Sequence, residues 1–286
     1  MVESNARPAI AKSPLSVILL ADCAEEARAG CIAAWQRFLQ DKQIPYELIL
    51  VEEVAHDAAG ASPPLVPIQD AKRVWVAFGS GAGTLLRAGM AAATCPLVFY
   101  TRLAEPFEPH DLQKLLDLID QVDLVTGYRV QGQAPAWYRW VGGVWRGLVW
   151  LFLGLTVEPC EGRVRGPGWG RRLLARWIFG VRVHDPACVF RLCRRDSLQR
   201  IVLQCEGPFV HEELLAKANF LGLWMTEAPV SWNPEAGARG GQKASQSPCT
   251  CREIWELFRR PTFSVQAGAS ELANEHSAAA PAPRPG

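Results

Sequence analysis

Apolar residues in this chain come in short continuous runs, and helical stripes separate them. Ser16-Val17-Ile18-Leu19-Leu20-Ala21 is the first run and reads as a buried strand. Glu25 to Leu39 follows with Ala29, Ile32, Ala33, Trp35 and Phe38 on one side of a helix. Pro45 to Val51 is a second, almost unbroken run, as expected of a parallel strand covered on both faces. After an Ala-, Ser- and Pro-rich loop, Val74 to Phe78 gives a third strand, and Gly79-Ser80-Gly81-Ala82-Gly83 turns into a helix carrying Leu85, Leu86 and Met90. Leu97 to Tyr100 is a fourth strand. Leu112, Leu115, Leu116, Leu118 and Ile119 recur at helical spacing, with Asp111 suited to the positive end of the dipole. Val122 to Thr126 is strand again; a helix from Glu213 to about Leu221 and a strand within Gly222 to Trp232 follow. The alternation predicts an α/β domain with a Rossmann-like, mixed but mostly parallel sheet flanked by helices.

In such sheets ligands sit beyond the carboxyl ends of the strands. Three features fall there. Ala21 closes the first strand, and Glu52, Glu53 and Asp57 follow the second, where a carboxylate can accept hydrogen bonds from a base or ribose. Gly81 and Gly83 open a helix, a turn that either serves an anion or allows tight packing. The loop after Tyr100 runs from Arg102 to Pro109 with Glu105 and Glu108 in it.

These stretches together resemble the family-2 glycosyltransferases of GT-A fold, most of all the dolichol-phosphate (polyprenyl-phosphate) mannose synthases. That branch typically reads Val-Phe-Tyr-Thr-Asp-x-Asp-Gly-Gln-Phe-Asp-Pro. Val98, Phe99, Tyr100, Thr101, Phe107 and Pro109 keep the frame, but the two metal-binding aspartates fall on Arg102 and Ala104. Gly81, Gly83, Arg87 and Gly89 match a Gly-x-Gly-x-x-x-Arg-x-Gly pattern. Asp185, Cys188, Phe190, Arg191, Leu192, Arg194 and Arg195 match Asp-x-x-Cys-x-Phe-Arg-Leu-x-Arg-Arg, and Glu213-Leu214-Leu215 matches Glu-Leu-Leu.

The resemblance implies transfer of a mannose- or glucose-type sugar from a nucleotide sugar to a polyprenyl-phosphate-like lipid, by direct inverting displacement. It places Ala21, Glu52, Glu53, Asp57, Gly81 and Gly83 at the nucleotide. It places Arg102, Arg129, Arg139 and Arg191 at phosphates, and Asp185 and Glu213 at the chemistry. It also implies a divalent Mg²⁺ or Mn²⁺, because two carboxylates on one loop chelate a hard cation and bridge it to diphosphate. Arg102 cannot chelate, and Ala104 offers no donor. Three readings follow: a metal held by displaced ligands such as Glu105 and Glu108; transfer without metal, with Arg102 neutralising the diphosphate; or a non-catalytic relative acting as a binding or regulatory partner at the membrane surface. An Arg102 pair with Glu52 or Glu53 would favour the last, and an open cleft lined by those acids and the Gly81 turn the enzyme.

Composition narrows the picture further. A net charge of +1 over 286 residues argues against general nucleic-acid binding. Nine cysteines, mostly single within apolar runs, are expected to be buried reduced thiols of a cytosolic protein, and Cys249 and Cys251 lack zinc-ligand spacing. Trp137 to Val157 interleaves aromatic rings and leucines with Arg139 and Arg146, a composition suited to a membrane surface but too interrupted to span. No signal peptide is read. The expectation is a cytoplasmic protein, peripheral on the membrane face, with a tail over 1–14, the transferase-like domain over 15–235, a linker and short amphipathic helix over 236–263, and a second tail over 264–286. Glu158 to Gly170 carries no functional account.

Overall fold

A computed structural model describes residues 12–21, 25–54, 71–105, 107–131, 163–164, 183–232 and 259. Asp57, Arg139, the Trp137 to Val157 segment, the 158–170 segment apart from 163–164, and both tails but for residues 12–14 lie outside the described residues, as does the 236–263 segment except for 259.

Strand β1 (Leu15–Ala21) is buried along its whole length, with β2 (Tyr46–Val54) and β4 (Leu97–Arg102) parallel on either side of it. The edge strand β3 (Ala71–Ala77) pairs parallel with β2. Beyond β4 the direction reverses. Strand β7 (Phe190–Arg194) runs antiparallel between β4 and β5 (Leu124–Gln131). Strand β8 (Met225–Ser231) pairs parallel with β5, and the short β6 (Arg163–Val164) adds antiparallel at Val130 and Gln131. Among the described residues the result is an eight-stranded mixed sheet.

Burial on both faces explains why the strands read as continuous apolar runs. One face carries Ile32, Trp35, Phe38 and Leu39 of helix α1 (Glu25–Asp41) and Leu112, Leu115 and Leu116 of helix α3 (Leu112–Leu116). There the rings of Trp35, Phe99, Phe190 and Phe107 pack within about one ring diameter, Phe99 to Phe190 edge-on at 4.8 Å between centroids. The other face carries Leu85 and Leu86 of helix α2 (Gly81–Ala92) and Val210, Leu214 and Leu215 of helix α5 (Val210–Phe220). Gly89 lets α2 lie on the sheet, since a Cβ there would stand 2.5 Å from Ile18 Cγ2. A one-turn helix, α4 (Arg195–Gln199), follows β7.

The predicted helix over Leu112 to Ile119 is shorter than its pattern. A 3₁₀ turn (Pro109–Asp111) feeds α3, which stops at Leu116, and the remaining apolar positions are held by turns, with Ile119 N–H still donating to Leu115 O at 3.1 Å. Among the described residues no helix is long and apolar enough to cross a membrane.

Candidate functional site

Strands β1, β2, β4 and β5 end at the same edge of the sheet, and their terminal residues bring the predicted site together. Leu20 of β1 lies opposite Arg102 of β4, and Ala21 opposite Glu52 of β2. Leu103 N–H donates to Leu20 O at 3.0 Å, so the chain leaving β4 is pinned beside the end of β1.

A four-membered chain of alternating charge crosses this edge. Arg102 Nη1 stands 3.7 Å from Glu105 Oε1, and Arg129 Nη1 stands 3.5 Å from Glu105 Oε2. Arg129 then grips Asp185, Nε donating to Oδ2 at 2.7 Å and Nη2 to Oδ1 at 3.0 Å. Asp185 has no exposed surface. Burial works against the Arg129 charge, but the hydrogen bonds and charge of Asp185, with Glu105 behind it, more than offset this and hold the guanidinium protonated. The turn that places Glu105 over Arg102 is local: Glu105 N–H donates to Arg102 O at 3.3 Å.

The donor set at this edge does not fit a divalent cation. Arg102 brings a positive charge where a ligand would stand. Ala104 is buried among Leu103 and Phe107 in the apolar core, so the second ligand position has turned inward. Glu105 lies between two guanidinium groups, Asp185 is taken by one of them, and Glu108 is exposed. Among the described residues no cluster of His, Cys, Asp and Glu could hold a metal.

Several predicted ligands have other work. Glu52 is buried and taken by Arg28 of α1, Nη1 to Oε1 at 2.5 Å, with Arg73 of β3 at 3.9 Å from its other oxygen. It therefore ties α1 to the sheet. Glu53 is half-buried at the same strand end. An Arg102–Glu52 pair does not form, and Glu105 takes that place.

Gly81 and Gly83 are packing glycines. Gly83 N–H donates to Glu206 O at 2.8 Å, and a Cβ at Gly83 would lie 1.9 Å from Cys205 O. Gly81 has φ of +82°, and its Cβ would lie 2.5 Å from Glu206 O. The helix start expected to serve an anion is covered by this loop. Glu213 holds the same loop from below. Its two oxygens accept from Gln204 N–H and Cys205 N–H, each at 2.8 Å, and Lys217 Nζ pairs with it at 2.7 Å. Arg87 closes the unit by donating to Leu203 O and Cys205 O. Glu213, expected at the chemistry, is fully buried and structural.

Arg191, expected at a phosphate, is instead a buried strut. It is fully buried, and its nitrogens donate to Thr126 Oγ1 (3.1 Å), Tyr100 Oη (3.0 Å), His211 O (2.5 Å) and Pro186 O (2.5 Å). The cysteines Cys188, Cys193 and Cys205 are buried and in no disulfide. Burial pushes the Cys193 thiol up to about 12, which leaves it an inert packing group.

Sequence reasoning missed one pair beside Asp185. His184 Nδ1 lies 2.6 Å from Glu227 Oε2, His184 N–H donates to Oε1 at 2.7 Å, and the ring meets Tyr128 at 5.3 Å. Its only sequence signal is its place in the Asp185 motif.

Neither a family model nor a curated protein sequence matches this chain. Solved structures do. A glucosyl-3-phosphoglycerate synthase from Mycobacterium tuberculosis in complex with phosphoglyceric acid superposes with a TM-score of 0.51 at 20% identity, covering 78% of this chain and 72% of that one. The same enzyme with Mg²⁺ and uridine diphosphate gives 0.51 at 19% identity over the same shares. With Mn²⁺, UDP-glucose and phosphoglyceric acid it gives 0.50 at 19% identity, again over 78% and 72%. The chain has the GT-A fold. The expected architecture, a mixed and mostly parallel Rossmann-like sheet flanked by helices, is the one observed. The Arg102-to-Asp185 charge chain stands at the carboxyl edge of the parallel strands.

Proposed function

We propose that this protein transfers a hexose, mannose or glucose in type, from a nucleotide-sugar donor to a polyprenyl-phosphate-like lipid acceptor. The observation that carries the reading is the pair of guanidinium groups, Arg102 and Arg129, brought to one sheet edge from the ends of β4 and β5. Two cations there suit a diphosphate. The likeness in fold to an enzyme crystallised with UDP and UDP-glucose supports the donor class.

In the reaction, an oxygen of the acceptor phosphate forms the new bond to the anomeric carbon. The bond from that carbon to the diphosphate oxygen breaks, and the nucleoside diphosphate leaves with the electron pair. Arg102 and Arg129 meet the developing charge. A phosphate acceptor is already ionised near neutral pH and needs no strong base. Asp185, buried and with both oxygens held by Arg129, then positions the Arg129 guanidinium rather than taking a proton. Ala21 and Glu53 lie at the nucleoside end, with Glu52 behind them. Arg139 and the aromatic run from Trp137 to Val157 supply, by composition, the lipid contact.

The test is direct. The purified chain is incubated with UDP-glucose or GDP-mannose and a polyprenyl phosphate, and glycosylated lipid is measured. Product from either donor supports the reading. No product, together with release of neither UDP nor GDP, sinks it.

A second reading has its own observation. Arg28 occupies Glu52, Arg129 occupies Asp185, and the Cys205–Glu206 backbone fills the Gly81 turn. A site whose acids are internally paired suits a non-catalytic relative that binds a partner at a membrane surface. Failure of the transfer assay with retained nucleotide binding would favour it.

A further inference from the structure

We infer that Trp75 is the stacking face for the nucleobase of the donor, and that the ion group of Arg28, Glu52 and Arg73 holds its ring in place. The inference rests on the nucleotide-sugar reading above and deepens it, giving the nucleoside end to a residue that lies outside every sequence motif.

Strand register places the ring. Ala21 of β1 pairs with Glu52 of β2, and Glu52 pairs with Trp75 of β3. The three form one row across the carboxyl ends of the parallel strands, beyond which ligands sit in open α/β sheets. Alternation along β3 sends Val74 and Val76 to the face that α2 covers. Arg73 and Trp75 therefore lie on the α1 face. Arg73 reaches Glu52 there, as does Arg28 from the first turn of α1.

The ring is held before any ligand arrives. The Arg73 guanidinium carbon stands 5.8 Å from the Trp75 ring centroid, and Arg73 Nη1 lies 3.9 Å from Glu52 Oε2. Glu52 is buried and fixed through its other oxygen by Arg28. A chain of charge thus runs from α1 through β2 to the ring and sets its orientation, which lowers the cost of binding. Trp75 still keeps 44% of its surface exposed. A flat base covers such a surface through its π-face, and every base has one.

The span is right for one ligand with an aromatic end and an anionic end. In the sheet β3 and β4 are three strand spacings apart, about 14 Å. With the base on Trp75, the sugar passes over Glu52 and the small Ala21, and the diphosphate points to Arg102 at the end of β4. Trp224 makes a useful contrast. It is 63% exposed, but its carbonyl accepts from Leu124 N–H where β5 begins, at the opposite edge of the sheet.

The experiment is calorimetric titration of the full chain with UDP and GDP, in EDTA and in Mg²⁺, for wild type, Trp75→Leu, Trp75→Phe and Trp224→Leu, each checked by thermal melting for a retained fold. Quenching of tryptophan fluorescence by the same nucleotides is recorded for wild type and Trp75→Phe. The expected result is a loss of affinity of about fivefold or more in Trp75→Leu. Trp75→Phe restores most of that loss while its nucleotide quenching falls, and Trp224→Leu binds as wild type does. Wild-type affinity in Trp75→Leu overturns the inference and leaves the nucleotide reading standing. Quenching undiminished in Trp75→Phe also overturns it, because the ring that meets the base would then lie elsewhere. No binding of UDP or GDP to the wild-type chain in either condition overturns the inference and the nucleotide reading together.

Discussion

Arg129 holds Asp185 through two guanidinium nitrogens, Nε at 2.7 Å and Nη2 at 3.0 Å, and Asp185 has no surface left for water. The pair fastens the end of β5 to the loop that leads into β7. Removing one partner leaves a buried charge uncompensated, which costs about 3–5 kcal/mol, while replacing both with apolar groups costs far less. Asp185→Asn should therefore lower the urea midpoint steeply. The double variant Arg129→Met/Asp185→Leu should recover most of that loss. If the two single losses simply add in the double variant, the residues are not coupled.

Gly83 and Gly30 offer a matched comparison. A Cβ at Gly83 would lie 1.9 Å from a backbone oxygen, and a backbone cannot swing aside as a side chain can. A Cβ at Gly30, on the exposed side of α1, would meet nothing within 4 Å. Gly83→Ala should destabilise the fold by about 1–3 kcal/mol, the usual scale for overpacking. Gly30→Ala should stabilise it by up to about 1 kcal/mol, the difference in helix propensity. Thermal melts of the two variants check the signs. Equal and small shifts would mean that the Gly81–Gly83 turn does not pack on the 205–206 loop.

The strands were legible because burial on both faces writes one continuous apolar run into each. Ser16 to Ala21 and Leu97 to Tyr100 are read correctly for that reason, and their parallel order follows from the helices between them. The site was legible as a place, since Ala21, Glu52 and Arg102 sit at strand ends whatever their partners. Their partners were not legible. Glu52 meets Arg28 across 24 positions and Asp185 meets Arg129 across 56, and nothing local marks such pairs. Motif matching also misled where a residue serves packing. Glu213 and Arg191 match a pattern, but both lie inside the protein and satisfy backbone groups.

Glu47 gives the fold an acid-sensitive tie. Its carboxylate accepts from Ser16 Oγ, from Thr94 N–H and Cys95 N–H, and from Thr94 Oγ1 at 2.9 Å, so it joins β2 to β1 and to the turn before β4. Burial raises its pKa, but the hydrogen bonds from Ser16 and Thr94 outweigh that and leave it below the ordinary glutamate value. A carboxylate depressed in the folded state stabilises above its unfolded pKa, near 4.3 for a free glutamate, and that stability is lost as pH falls through the folded value. Glu47→Gln should therefore melt below wild type at neutral pH, and the gap should close in acid below about pH 4. A gap that stays constant from neutral to acid pH would show that the charge of Glu47 contributes nothing.

Arg191 separates a strut from a ligand. Its guanidinium reaches Thr126 on β5, Tyr100 on β4, the Pro186 carbonyl in the loop before β7 and the His211 carbonyl in the first turn of α5. Four acceptors on four pieces of chain need a planar fork with several donors, and carbonyl dipoles disperse its buried charge. A lysine has one nitrogen on a flexible stem and cannot reach all four. Arg191→Lys keeps the charge but leaves buried oxygens without donors, each costing about 1–3 kcal/mol. The variant should therefore lose several kilocalories per mole of stability by urea denaturation. Nucleotide affinity, measured where the variant is still folded, should stay near wild type. Arg102→Gln should do the reverse, sparing stability and weakening the nucleotide, because Arg102 lies partly exposed at the sheet edge. If Arg191→Lys instead weakens nucleotide binding with its melting unchanged, then Arg191 faces phosphate and the strut assignment is wrong.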